Sequence, residues 1–361
     1  MVEPSSLRLH SVDLSGIERA NIFCSSPFFL RHALTILSWL KSHKIPVRLW
    51  SKVGGPVEFV LRTLALPGTE LRTWPSPPFS VKLSRPWSLL RVRRYYDKFH
   101  ATHLSTHKST ISFYEGDYPE PCLHALVSRL SRQQRVYQYA YIGHDTLPSS
   151  NIPALVCLRE SLLARAYGYP ITFFSRQGQP GSKYLPFFKS SRRQIQKVTV
   201  ELSEEEIAPY RIPLALNLKR PVLLLLESKY EEESYRDYAL AINRLLNLLE
   251  AEGWQVFTKG HPRLGNSETV IKRRVATLDY RIPLELLDLS QVKAVVGFCS
   301  SGMFSTSAAG IPTYCVEKLF QRHDPNYRTW VIDFLTKDPG WNNRSSPIHI
   351  LHGWEDLDRI R

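Results

Sequence analysis

Residues 292–312 read VKAVVGFCSSGMFSTSAAGIP. The segment 292–298 is a short apolar run rich in β-branched residues, the pattern of a fully buried parallel strand. Cys299, Ser300, Ser301 and Gly302 follow, and then small residues from Met303 to Ala309 at helix-compatible spacing. Gly310 and Pro312 supply the stop signals. Strand, small polar turn and helix start together aim free backbone N–H groups at one point, and two serine hydroxyls add donors there. Such a point suits a phosphate. A serine that merely caps the helix satisfies the same pattern without any ligand, so the stretch has to be read with its neighbours.

A second unit of the same kind lies upstream. Residues 254–258, WQVFT, read as a strand and run directly into Lys259, Gly260, His261, Pro262 and Arg263. Loops at the carboxyl ends of parallel strands are where open α/β sheets bind ligands. Two cations flanking an imidazole make an anion site there. Gly260 is read as letting the backbone pass close to a ligand, and Pro262 as fixing the chain after His261. Between the two units lies 282–287, IPLELL, a short helix start that carries one carboxylate, Glu285, in an apolar setting.

Working outward, 221–227 (PVLLLLE) predicts a central strand and 231–250 one long amphipathic helix with Tyr238, Ile242, Leu245, Leu246 and Leu249 buried. Residues 313–316 predict a further strand. The first half shows the same grammar. A strand at 20–24 ends in Ser25-Ser26-Pro27, an amphipathic helix spans 28–40, a strand 47–50, and a helix 57–66 stopped by Pro67-Gly68. The strand TISFY at 110–114 ends in Glu115, Gly116 and Asp117, with further strands at 136–142, 171–174 and 197–202 and a helix at 154–167. The fold class predicted is α/β, with two doubly wound parallel sheets. The division is residues 1–205 for the first domain, 206–335 for the second and 336–361 for a tail, with the linker in the charged, Pro-containing stretch 204–221.

The combination KGHP, IPLELL and GFCSSGMF resembles the donor half of bacterial sialyltransferases and polysialyltransferases that use CMP-activated nonulosonic acids. The resemblance is good over 220–316 and loose in the first half. It implies a GT-B architecture with two facing Rossmann-like domains, the first on the acceptor side and the second holding the nucleotide sugar. It implies an inverting, metal-independent transfer with no cofactor beyond the CMP-sugar. Ser300 and Ser301 would then hold the donor phosphate with Lys259 and Gly260 nearby, and Glu285 the ribose hydroxyls. His261 would donate to the departing phosphate oxygen, and Glu115, across the cleft, would take the acceptor's proton. The SSP turn at 25–27 resembles the first turn of these enzymes. Their acidic-acidic-glycine triplet is here Tyr114-Glu115-Gly116, so the first acid is missing and Asp117 stands as the alternative base. In GT-B proteins the last helix crosses back to the first domain, which is the expectation for 336–361.

The 361 residues carry a formal charge of +14, an asymmetry that favours an acidic partner. Residues 74–108 concentrate it, with Lys82, Arg85, Arg91, Arg93, Arg94, Lys98 and Lys108 set among six aromatics. Arg91, Arg93 and Arg94 are candidates for an acidic glycan or for a peripheral anionic membrane surface. The other reading is a solvated helix with its aromatics in the core. Five scattered cysteines without CxxC spacing fit a reducing cytoplasm. Residues 1–20 hold no apolar h-region and no run is long enough to span a bilayer, so the expected location is cytoplasmic. No helix-turn-helix, zinc or RNA-recognition pattern is present, and no nucleic-acid partner is expected. The function expected is transfer of a sialic acid from a CMP-sugar to a glycan in bacterial capsule or lipopolysaccharide synthesis. The alternatives are the same fold with CMP-Kdo or another CMP-nonulosonate, and a non-catalytic basic protein for nucleic acid or membranes.

Overall fold

The computed structural model describes residues 7–76, 86–104, 109–115, 130, 134–140, 196–202, 204–214, 220–337 and 347–360. Chain contacts separate two units, Met1–Pro209 and Tyr210–Arg361. Each is built on one parallel sheet, so the chain carries the two Rossmann-type units of a GT-B protein.

In the first unit the strands are β1 (Leu7–Arg8), β2 (Arg19–Phe23), β3 (Val47–Lys52), β4 (Thr69–Trp74), β5 (Thr110–Glu115), β6 (Arg135–Ala140) and β7 (Gln196–Thr199). Their order is β1-β7-β6-β5-β2-β3-β4. The chain steps outward from β2 through β3 to β4, then returns to the other side of β2 with β5. The order therefore reverses between β2 and β5, the place where doubly wound sheets keep their ligand crevice. All six residues of β5 are buried, as a strand covered on both faces requires. A single 3-10 turn (Pro27–Phe29) precedes helix α1 (Leu30–Ser42), so the regular helix begins two residues later than the pattern predicts. Pro27 opens that turn, where its missing N–H is harmless. Helix α2 (Pro56–Leu64) joins β3 to β4.

Helix α3 (Pro86–His103) carries the basic, aromatic stretch. Tyr96 is buried and donates its hydroxyl to the Pro75 carbonyl at 3.0 Å, and the Phe99 ring meets Trp50 edge-on. Arg91, Arg94 and Lys98 are exposed. Aromatics in the core and cations in water is thus the arrangement that these residues adopt. A short helix, α4 (Glu204–Ile207), follows β7. The readings at 154–167, 171–174 and Asp117 lie outside the described residues, as does the side chain of Arg93.

The second unit has strands β8 (Val222–Leu226), β9 (Gln255–Lys259), β10 (Ala276–Leu278), β11 (Val292–Gly297), β12 (Thr313–Cys315) and β13 (Ile348–Ile350). The order β10-β9-β8-β11-β12-β13 repeats the first unit's scheme, with the reversal between β8 and β11. Where one helix is predicted over 231–250 there are two, α5 (Lys229–Ser234) and α6 (Tyr238–Ala251). Tyr235 breaks them apart in an extended conformation, bridged to Arg322 with its ring in the core. Helix α7 (Glu268–Lys272) follows β9, α8 (Ser301–Ala308) follows β11, and α9 (Pro325–Lys337) precedes β13. Residues 347–360 differ from the expected crossing tail. They add edge strand β13 beside β12 and bury Leu351, Leu357 and Ile360 in the second unit's own core. Exposed apolar groups there have sheet and helix surface of the same unit to cover, which a tail reaching elsewhere would leave bare.

Candidate active site

The register places the ends of three neighbouring strands level, Leu226 of β8 pairing with Lys259 of β9 and with Gly297 of β11. The KGHP loop and the SSG turn therefore emerge on either side of β8, at the carboxyl edge.

Helix α8 starts at Ser301, and the side chain of Ser300 caps it by accepting the Gly302 N–H at 3.2 Å. The capping reading is thus realised. It leaves the hydroxyl proton of Ser300 available to donate, because the oxygen's role in the cap is that of acceptor. A Cβ on Gly302 would stand 2.7 Å from Cδ2 of Leu284, so a larger residue there obliges that side-chain tip, on the 3-10 turn at Leu284–Leu286, to shift. That turn carries Glu285, half-buried, whose Oε1 accepts from Ser305 Oγ at 3.1 Å. Glu285 is thereby tied to α8.

Lys259 is buried, and its ammonium donates to the carbonyls of Gly260 at 2.7 Å and Tyr280 at 2.9 Å. Burial pulls its pKa down to about 8, against the attraction of Glu285 and Asp279. The lysine thus joins two loops and adds its charge from beneath the surface rather than as an open ligand. Gly260 also serves another purpose than the one read from the sequence. A Cβ would fall 2.6 Å from Gly265 C and 2.7 Å from Asn266 N. The close approach is to the chain's own return segment, which pairs His261 with Gly265.

His261 stands on the exposed side of this small hairpin. Its Nδ1 accepts the Arg263 backbone N–H at 3.2 Å, so a neutral ring carries its proton on Nε2. Partial burial, then repulsion from Arg263 and Lys259, hold its pKa below the ordinary value.

Glu227, at the end of β8, is a residue that sequence reading missed. It is buried and accepts from Tyr238 Oη at 2.9 Å, Asn266 Nδ2 at 2.8 Å and the Ser267 N–H at 3.0 Å. These bonds brace the far side of the hairpin that presents His261. The signal available was a single carboxylate closing an all-aliphatic strand, an expensive group to bury without partners. A second buried set was missed with it. Arg322 pairs with Glu317 at 3.2 Å, their side chains 5% and 0% exposed, and both contact the Tyr235 hydroxyl. Glu231, bonded to Ser228 Oγ, is pushed up to about 7 by burial. Cys299 is pushed up to about 12, by burial first and then by Glu317 and Glu231.

In the first unit, Glu115 ends β5 at the reversal point, but not as an open carboxylate. It is 0% exposed. Its Oε1 accepts from Ser25 Oγ and its Oε2 from the Ser26 N–H at 3.1 Å. The turn after β2 thus wraps the carboxyl group, and burial raises its pKa against these hydrogen bonds. Ser25 and Glu115 lie 90 residues apart in sequence, and the β2–β5 pairing brings them together. Of the candidate residues, Lys259, Gly260, His261, Glu285 and Ser300 gather at the second unit's carboxyl edge. Glu115, Arg91 and Arg94 belong to the first unit. Among the described residues no three His, Cys, Asp or Glu side chains cluster as metal ligands, and no helix is long and apolar enough to cross a membrane.

Two Rossmann-type units, with a basic loop and a serine-capped helix at the reversal point of the second, define the fold class: α/β of the GT-B type. Within it, residues 166–309 match the family model described as alpha-2,8-polysialyltransferase (POLYST), a span that contains the KGHP loop, Glu285 and the SSG turn. Solved structures with similar folds include a UDP-N-acetylglucosamine 2-epimerase, 12% identical over 95% of this chain and 93% of that one, TM-score 0.48. Another is S. aureus MnaA with UDP, 11% identical over 91% of each chain, TM-score 0.47. MurG of Acinetobacter baumannii is 11% identical over 95% and 89%, TM-score 0.39. No curated protein matches the sequence.

Proposed function

We propose that the chain transfers a nonulosonic acid, N-acetylneuraminic acid in the first instance, from its CMP-activated form to a glycan acceptor, with inversion and without a metal ion. One contrast carries the reading. Both units have a serine turn at the point where strand order reverses. In the first unit that turn is already filled by the chain's own carboxylate, Glu115. A second anion there would meet a buried negative or protonated acid and find its hydrogen-bond donors occupied. In the second unit the turn after β11 shares the carboxyl edge with Lys259 and His261, which follow β9 on the other side of β8, and in this reading a nucleotide phosphate there meets positive charge and N–H groups. The family match over the same residues supports the CMP-sugar as the donor class.

In this reading the donor phosphate lies at the start of α8, with the Ser300 hydroxyl and backbone N–H groups as donors. Ser301 extends the same turn. His261 gives a hydrogen bond from Nε2 to a phosphate oxygen, and negative charge on the phosphate raises the imidazole's proton affinity as CMP leaves. Glu285 receives the ribose hydroxyls. The bond from the anomeric carbon to phosphate breaks with its electron pair going to CMP, while the acceptor oxygen forms the new bond from the opposite face. Glu115 is the final sink for the acceptor's proton, and a base at that position contributes to transfer rather than to nucleotide affinity.

Two measurements test this together. Millimolar CMP should raise the melting temperature by a few degrees, because a ligand bound only by the folded state stabilises it, while UMP should do so less. Purified protein should also release CMP from CMP-N-acetylneuraminic acid. Equal shifts from CMP and UMP remove the cytidine assignment, and no release of CMP returns the chain to a non-catalytic role.

A further inference from the structure

We propose that the group meeting the acceptor hydroxyl is Ser25, and that Glu115 receives the proton through it. This rests on the transferase reading above and deepens it at the base. The observation is that Glu115 cannot be reached. It is 0% exposed, and both of its oxygens are engaged, one by Ser25 Oγ–H and the other by the Ser26 N–H. Ser25 is only half-buried. It is therefore the member of the pair with a face toward solvent, at the carboxyl edge where β2 and β5 meet.

A serine hydroxyl accepts one hydrogen bond while donating another, so it can sit between an acceptor hydroxyl and a buried carboxylate. The step balances without any further reactant. The acceptor O–H proton passes to Ser25 Oγ as the Ser25 proton passes to Glu115 Oε1. The acceptor oxygen bonds to the anomeric carbon, and the electron pair of the cleaved sugar–phosphate bond leaves on CMP. Serine is regenerated in the same step, and the proton remains on Glu115 until water removes it. The surroundings favour this division of labour. Cys24 buries one side of the turn, its thiol bonded to the Ser26 carbonyl at 3.4 Å. Tyr139 is tied to the Phe23 carbonyl at 2.7 Å. Neither competes with Ser25 for the solvent side, since both are buried. The placement also accounts for the missing first acid at Tyr114. That residue is buried among Phe23, Trp50 and Trp74, so the polar partners of Glu115 come from the turn after the neighbouring strand β2 rather than from its neighbour in sequence.

The experiment compares wild type, Ser25→Ala, Ser25→Thr and Glu115→Gln in single-turnover transfer from CMP-N-acetylneuraminic acid to an oligosialic acid acceptor, with CMP affinity and melting temperature recorded for each. Loss of a proton-transfer group costs about 10²- to 10⁴-fold. Ser25→Ala should lose transfer in that range with CMP affinity within a few fold, and Ser25→Thr, which keeps a hydroxyl, should recover to within about tenfold of wild type. The wild-type rate measured across mixtures of H₂O and D₂O should curve, reporting two protons in flight, a readout that stands even if Ser25→Ala folds poorly. Normal transfer by Ser25→Ala, a threonine variant no better than alanine, or a linear dependence on deuterium each overturns the relay. A wild type that neither binds CMP nor releases it from the donor overturns the donor reading, and the relay with it.

Discussion

At His261 the Arg263 N–H occupies Nδ1, which leaves the neutral ring one proton, on Nε2, for a ligand. Burial and two nearby cations hold the free imidazole's pKa down, so the ring is poised to gain proton affinity only when a phosphate arrives. That is the behaviour wanted of a group that stabilises charge developing on a leaving group. Replacing His261 with alanine is expected to lower turnover by about 10²- to 10⁴-fold with little change in melting temperature, because the exposed ring supports no core contact. Activity of the wild type is expected to persist in EDTA. Full activity of His261→Ala, or its loss to a chelator, would each show that the phosphate is handled by something else.

Among elements, the hairpin between β9 and α7 holds the site's shape. Its return segment passes so near Gly260 that a methyl group has no room. Its far side is bonded to Glu227 and, through Ser267, to the start of α7. Gly260→Ala must therefore open the hairpin. Overpacking of this kind costs about 1–3 kcal/mol, or roughly 2–4 °C per kcal/mol in a unit of this size. The melting temperature is expected to fall accordingly, and CMP affinity by tenfold or more as His261 moves. A Gly260→Ala protein with unchanged melting and unchanged CMP affinity would show that the hairpin adapts and that the loop does not position the imidazole.

Over the whole molecule, a charge of +14 sets up a field that draws in polyanions and weakens with salt. Helix α3 exposes Arg91 and Arg94 while Tyr96 and Phe99 face inward, so its cations can be changed without touching the core. Arg91→Gln with Arg94→Gln is expected to raise the KM for an acidic acceptor a few fold at low salt, with the difference vanishing above about 0.5 M as screening shortens the field. CMP affinity should not move. An acceptor KM unchanged at every salt concentration, with unchanged binding to anionic vesicles, would leave α3 a solvated helix face.

What the sequence determined by itself was local. Runs such as 222–226, apolar throughout, and 292–297, apolar but for the exposed Lys293, become strands buried over nearly all their length. The alternation of such runs with amphipathic helices settled the doubly wound class, and the strand-to-turn transitions located the KGHP loop, Glu285 and the SSG turn. Only the tertiary structure decided which polar groups meet. The break at Tyr235 was invisible because its cause, Arg322 and Glu317, lies more than eighty residues away. The need for Gly260 was legible, but its reason, the return of 265–266, was not. Glu115 read as an open base because a strand end is usually wet. It became a buried, hydrogen-bonded acid because β2 pairs with β5 and lays Ser25 and Ser26 over it. Propensity and periodicity act over a few residues, whereas burial and hydrogen-bond partners are set by which strands lie side by side, and that is a property of the folded sheet.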